Sequence, residues 1–187
     1  METHFQPLQR ADTPESRAIV TATPAQRDLL RALFELYAHD FSPITGAEVD
    51  TNGRFTPADF LAEPWTPDFQ PLLLRVDGFW VGFAWVATGS YIQPGAANHH
   101  LMEEFFILRK YRGRGLGRWF AQAIFRRFPG IWEVGEMPDN HAAIAFWRRV
   151  IGEFTHGQYT ETWVNNTRWE GPVQRFESPI LSIKNTA

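Results

Sequence analysis

Hydrophobic positions along this chain switch period repeatedly, and each switch marks a predicted element. Leu29, Leu30, Leu33, Phe34, Leu36 and Tyr37 recur at helical spacing. Thr23-Pro24-Ala25-Gln26 sets up a capping box ahead of them, with Thr23 as cap, Pro24 in the first helical position and Gln26 reaching back. A helix is therefore expected to about His39, broken by Ser42-Pro43 and Gly46. Residues 17–21 read as a short first strand. Thr56-Pro57-Ala58-Asp59 repeats the capping signal and predicts a short second helix to about Ala62. Two apolar runs, 72–76 and 79–86, are separated only by Asp77-Gly78, which is a type I′ hairpin signal. Residues 101–108 predict a buried strand, 118–128 an amphipathic helix and 131–135 another short strand. Asn140 then caps a helix with Ala143, Ile144, Trp147, Val150 and Ile151 on one face. A last hairpin is expected from 158–164 and 167–176, turning at Asn165-Asn166.

The pattern sums to a mixed α/β (α+β) sandwich. The Asp77-Gly78 hairpin demands antiparallel neighbours, which argues against a doubly wound parallel sheet. One domain over 1–187 is the simplest division, with the polar stretch 1–16 as a loose arm. An apolar fraction of 44% against 21% charged residues excludes a disordered chain. Without cysteine there is no disulfide, thiolate metal site or cysteinyl intermediate, and the histidines show no metal-ligand spacing. The His99-His100 pair reads as solvated loop. The start of the chain lacks a signal-peptide pattern, and the most apolar run, 79–87, is far below the roughly 20 residues a membrane span needs. A cytoplasmic protein with no membrane partner is expected.

The net charge of −3 argues against a general nucleic-acid binder, but it hides a local asymmetry. Between Phe105 and Trp132 there is no acidic residue, while Arg109, Lys110, Arg112, Arg114, Arg118, Arg126 and Arg127 all fall there. At the centre lies Arg112-Gly113-Arg114-Gly115-Leu116-Gly117, between a strand and a helix. Glycines let backbone approach a ligand, and a helix start presents free N–H groups and a positive dipole end to an anion. The nucleotide-hydrolase loop is excluded because Arg118-Trp119 stands where Lys-Ser/Thr is required. The dinucleotide fingerprint is excluded by spacing and by the turn's place in mid-chain. What remains is Arg/Gln-x-x-Gly-x-Gly, matched by Arg112, Gly115 and Gly117.

With that motif, residues 101–152 resemble the GNAT superfamily of acyl-CoA-dependent N-acetyltransferases. The run Glu103-Glu104-Phe105-Phe106-Ile107 leading into Tyr111-Arg112-Gly113-Arg114-Gly115-Leu116-Gly117 is similar to the diamine-acetyltransferase branch. Asn140 to Arg148 resembles the second family motif. The resemblance implies a GNAT fold, a mostly antiparallel mixed sheet of six to seven strands flanked by about four helices. It implies acetyl-CoA as cosubstrate, no metal, and a small amine or exposed protein amino group as acceptor; a homodimer stays open. CoA pyrophosphate would sit on the backbone of Gly113, Arg114, Gly115, Leu116, Gly117 and Arg118 beside Arg112. Its amide-rich pantetheine could bond like an added strand to Phe105, Phe106 and Ile107. Asn140 and Trp147 complete the expected cofactor set.

Direct transfer needs a neutral amine and a polarised thioester. Glu103 and Glu104 are the candidate bases. Because strand side chains alternate, one of the two should face the cleft, with Glu103 matching the family position. The family's general-acid Tyr is replaced by Trp147, whose indole does not release its proton near neutral pH. Either the thiol leaves unaided, or Tyr111, Tyr91 or His141 takes the role. Tyr37, Asp40 and Tyr91 are the expected acceptor-lining residues, with acidic loops favouring a cationic amine. A CoA-binding sensor without catalysis and an RNA-binding Arg-Gly turn are the competing functions.

Overall fold

A computed structural model describes residues 15–56, 65–66, 68–96 and 99–179. Seven strands form one sheet: β1 (Arg17–Thr21), β2 (Phe69–Val76), β3 (Phe79–Thr88), β4 (His99–Ile107), β5 (Gly130–Gly135), β6 (Thr160–Asn165) and β7 (Glu170–Ser178). Their order is β1-β2-β3-β4-β5-β7-β6. Every neighbouring pair is antiparallel except β4 and β5. Among the described residues the helices are α1 (Arg27–Thr45), α2 (Leu116–Arg127) and α3 (His141–Thr155), with single 3-10 turns at Pro24–Gln26 and Arg109–Tyr111. The short helix expected after Thr56 falls mostly on residues 57–62, outside the described residues.

The β2–β3 turn takes the expected form, with Asp77 at φ 49° and Gly78 at φ 85°. Helix α1 runs six residues beyond its expected end at His39, straight through Pro43. Proline costs a helix the N–H that would meet the carbonyl four residues back. Here the hydroxyl of Ser42 donates to that carbonyl, His39 O, at 2.9 Å. Gly46, left-handed at φ 68°, finally ends the helix. Near the other terminus, the last hairpin turns over Asn166 to Trp169, two residues later than expected.

The sheet is covered on both faces, which is why β3 is apolar from Phe79 to Ala87. Helix α1 buries Leu30 and Leu33 against Leu73, Phe83, Trp85 and Phe106. Helices α2 and α3 bury Phe120, Phe125, Trp147, Val150 and Ile151 against Leu72, Leu74, Val86, Trp132 and Phe176 on the opposite face.

Two irregularities mark β4. It pairs with β5 only through His99, His100 and Leu101, opposite Ile131, Trp132 and Glu133. Beyond Leu101 the two parallel strands part. On its other side, Trp85 faces Glu104 while Val86 faces Met102, so Glu103 is the extra residue of a β-bulge.

Candidate active site

Where β4 and β5 diverge, a cleft of about 750 Å³ opens between α1, the end of β4, the start of α2 and one face of α3. The strand contributes Phe105, Phe106 and Ile107. From the glycine turn come Arg112, Gly113, Gly115, Gly117 and Arg118, and α1 adds Tyr37 and Asp40. Asn140 and Trp147 line it from the α3 side. Arg114 and Leu116 are not among the lining residues. Arg114 is exposed to solvent, and the Leu116 side chain is 3% exposed in the core, which leaves its backbone as the part that faces the turn.

The start of α2 has no side-chain cap. Its N-cap is Gly115, left-handed at φ 76°, and among the described residues the first-turn N–H groups have no side-chain acceptor. A Cβ at Gly115 would meet only the tip of Arg118, at 3.7 Å, so the space in front of the turn is open. At Gly117 a Cβ would stand 3.3 Å from the Phe146 ring, which would have to give by a few tenths of an ångström. Open orphan donors beside a strand edge that has left β5 past Leu101 suit a phosphate joined to an amide-bearing arm.

The Arg112 side chain is engaged within the protein. Its Nε donates to Ile107 O at 2.6 Å, and its terminal nitrogen reaches Asp40 at 2.6 Å. Arg109 holds the other Asp40 oxygen at 2.9 Å. Burial would raise the Asp40 pKa, yet the hydrogen bonds and charges of Arg112 and Arg109 outweigh it and hold the carboxyl below its ordinary value. Asp40 thus ties α1 to the turn, and its charge is neutralised where an amine contact was expected. Sequence reasoning missed Arg149 and Phe146. With Ala142 and Glu153 they form the cleft-facing stripe of α3, and that 4-3-4 spacing from Ala142 was the available signal.

In the middle of β4, the bulge overturns the expectation that one glutamate faces inward. Leu101 packs with Tyr91 and Val164, whereas Met102 joins the core beneath α2 and α3. After the extra residue, both carboxylates lie on the α1 face. Glu104 accepts from the hydroxyl of Tyr37, and Glu103 from that of Tyr91. Glu103 is also paired with Arg168 at 3.2 Å. No cation sits on Glu104 among the described residues. Burial pushes its pKa up to about 7, opposed by the Tyr37 hydrogen bond and helped by the Glu103 charge. Burial first, then the neighbouring glutamates, raises both tyrosines, so neither hydroxyl is a ready acid.

Tyr111 packs against the α2–α3 core with Lys110 over its ring and does not line the cleft. His141 lies in a separate outer hollow with Arg148, Glu161 and Trp163. Trp147 is 6% exposed, its ring 5.0 Å from those of Phe105 and Phe146, and forms the cleft wall. Asn140 Oδ1 accepts from Ala143 N at 3.1 Å, so the expected cap is made, and the residue also borders the cleft.

His99 is not solvated loop: it is a buried strand residue whose Nδ1 is 3.0 Å from Glu133. Glu133, fully buried, also accepts from Ser90 Oγ, Tyr91 N and Ile92 N. That carboxylate staples the Tyr91 loop to β5. His100 is half-buried against Trp132 and Phe128, and burial lowers its pKa against the pull of the Pro129 carbonyl. Among the described residues no cluster of three or more His, Asp and Glu could hold a metal ion. Nor is any helix there long and apolar enough to cross a membrane.

Comparison with known proteins converges on one family. The sequence model of the acetyltransferase (GNAT) family matches residues 30–152. No curated protein sequence matches the chain. Among solved structures, the ribosomal-protein-S18-alanine N-acetyltransferase from Escherichia coli is similar at 12% identity and a TM-score of 0.56, covering 92% of this chain and 99% of its own. Spermidine N-acetyltransferase from Vibrio cholerae, in complex with CoA and spermine, gives 9% identity, a TM-score of 0.59 and coverage of 87% and 95%. An acetyltransferase from Thermus thermophilus gives 19% identity, a TM-score of 0.61 and coverage of 87% and 97%. At these identities the likeness is one of fold.

Proposed function

Because the chain belongs to the GNAT acetyltransferase family, we propose that it uses acetyl-CoA to acetylate an amine by direct transfer within one ternary complex. The observation that carries this reading is the uncapped start of α2, opening onto the cleft beside the part of β4 that has left β5. In this reading the N–H groups from Gly113 to Arg118 hold the pyrophosphate, and Arg118 and Arg149 neutralise charge around it. The peptide groups of Phe105 to Ile107 bond the pantetheine amides, with Trp147 and Phe146 as an apolar wall. Acetyl-CoA supplies the acyl group activated as a thioester.

Glu104 is the proposed general base. A carboxylate raised to about 7 is matched to taking a proton from an ammonium near neutral pH. The Glu104 oxygen accepts that proton and leaves the nitrogen lone pair available, while Tyr37 fixes the carboxylate's orientation. Glu103, though it matches the family position, already answers to Arg168 and Tyr91. A CoA thiol, with a reference pKa of about 8.5, departs without a dedicated acid, which accommodates Trp147 in the usual tyrosine's place.

Calorimetric titration of CoA, followed by a mass-resolved acetyl-transfer assay over an amine panel, tests the reading. Gly115→Asp is expected to weaken CoA binding by roughly 100-fold, about 2.7 kcal/mol, because it sets a carboxylate before the donors. Unchanged affinity would sink the donor-site assignment. Tight CoA binding without transfer to any amine would replace the enzyme by a CoA sensor.

A further inference from the structure

Arg168 stands at the acceptor end of β4, held there by several separate contacts. It belongs to the turn between β6 and β7, where Asn166 Oδ1 accepts from the backbone N–H of Arg168 at 2.8 Å and of Trp169 at 3.0 Å. Asn166 Nδ2 donates to Tyr91 O at 2.8 Å, which clamps this turn to the Tyr91 loop. That loop is itself pinned to β5 through Glu133. The guanidinium lies over the Tyr91 ring, 5.6 Å from its centroid. It fits against Gly89, where a Cβ would come within 3.3 Å of it. The Asn166 bonds hold the turn, and the Tyr91 and Gly89 contacts narrow the freedom that an arginine on a surface turn would otherwise keep.

Among the described residues, one guanidinium nitrogen of Arg168 meets Glu103, and the side chain is still 42% exposed. Arginine has five donors in a planar fork that fits a carboxylate. No other acceptor meets the guanidinium among the described residues. A held cation with spare donors on Glu103, the chain neighbour of the proposed base, suits an acceptor with an anionic group.

The other charges point the same way. A diamine would need a carboxylate for its second ammonium. Asp40 is taken by Arg109 and Arg112, and Glu103 by Arg168 itself. A second ammonium near Glu103 would meet the guanidinium, a like charge in a half-buried setting.

We propose that the acceptor is an amine bearing a carboxylate, an amino acid in the chemical sense, whose carboxylate is bound by Arg168 while its amino group meets Glu104. This rests on the transferase reading above. The reaction is unaltered: the N–C bond forms and the C–S bond breaks, one proton of the ammonium passing to Glu104 and the second, lost as the amide forms, to the departing CoA thiolate.

The test compares kcat/KM for matched pairs with and without the carboxylate: tyrosine against tyramine, lysine against cadaverine, leucine against isopentylamine. For at least one pair, the carboxylated member is expected to be favoured by roughly tenfold or more, the worth of one charge-assisted contact. Arg168→Met should bring that ratio to near one, and Arg168→Lys should recover part of it. A preference for the decarboxylated member in every pair, or a ratio left intact by Arg168→Met, overturns the proposal. If no amine of any kind is acetylated, the transferase reading fails instead. Calorimetry of the same pairs on CoA-saturated protein then decides the anion site separately, equal affinity within each pair being the result against it.

Discussion

Glu103 and Glu104 are chain neighbours with one charge partner between them among the described residues. Arg168 holds the first, and burial beside Tyr37 lifts the second. Glu104→Gln should therefore lower kcat by about 10²-fold or more, the usual contribution of a general base, with CoA affinity little changed. In the wild type, kcat/KM should climb as pH rises through about 7 while Glu104 loses its proton. The same inflection persisting in the Glu104→Gln variant would move the base elsewhere. The two glutamates were legible in the sequence as candidates, but their ranking was not. Strict alternation assigns them to opposite faces. Only the register against Trp85 and Val86, a long-range fact, reveals the bulge that turns both toward α1.

At the scale of elements, both helix starts that border the cleft are open to a clean test. Asn140→Ala removes the α3 cap and should cost about 1 kcal/mol, read as a fall in Tm of roughly 3 °C for a chain of this size. The Arg112 bridge from Ile107 O to Asp40 fixes α1 against the glycine turn. Arg112→Ala should lower stability by about 1 kcal/mol, a modest figure because the side chain is half-exposed, and should raise the KM for acetyl-CoA. A Tm lowered with KM unmoved would make the bridge purely structural. Asp77-Gly78, the Thr23 capping box and the glycine turn were readable because each is local chemistry. The extension of α1 past Pro43 was not, because it depends on a hydroxyl replacing a lost N–H. Likewise nothing local to Arg112 shows that its side chain bridges to Asp40, 72 residues away.

Across the whole molecule, the sheet also carries an unfavourable buried ionisation. Glu136 lies buried just beyond β5, Gln174 Nε2 donates to it at 3.1 Å, and its other oxygen has no hydrogen-bond partner among the described residues. Burial pushes its pKa up to about 8, against 4.5 for the ordinary group, with the Gln174 bond opposing and Glu161 adding. The folded state thus binds a proton that the unfolded chain releases between those values. The stability this supplies is full below about pH 4.5 and is lost as pH rises to about 8. Glu136→Gln keeps the acceptor oxygen without the charge, so its Tm relative to wild type should increase steadily from pH 5 to pH 8. A constant difference would show that the carboxyl titrates normally.

The fork between β4 and β5 has one more consequence. On leaving its neighbour, β4 offers peptide groups along its edge and side chains from its bulge. Peptide groups are the same whatever the residue, so the grip on the donor proposed for Phe105 to Ile107 would constrain the sequence little. In the proposed reading, selectivity for the acceptor rests on a few side chains at Glu103, Glu104 and the distant turn bearing Arg168. One strand therefore divides its duties into a fixed half and an editable half. Such a scaffold can change the molecule it modifies by a handful of substitutions while its hold on the shared acyl donor stays the same.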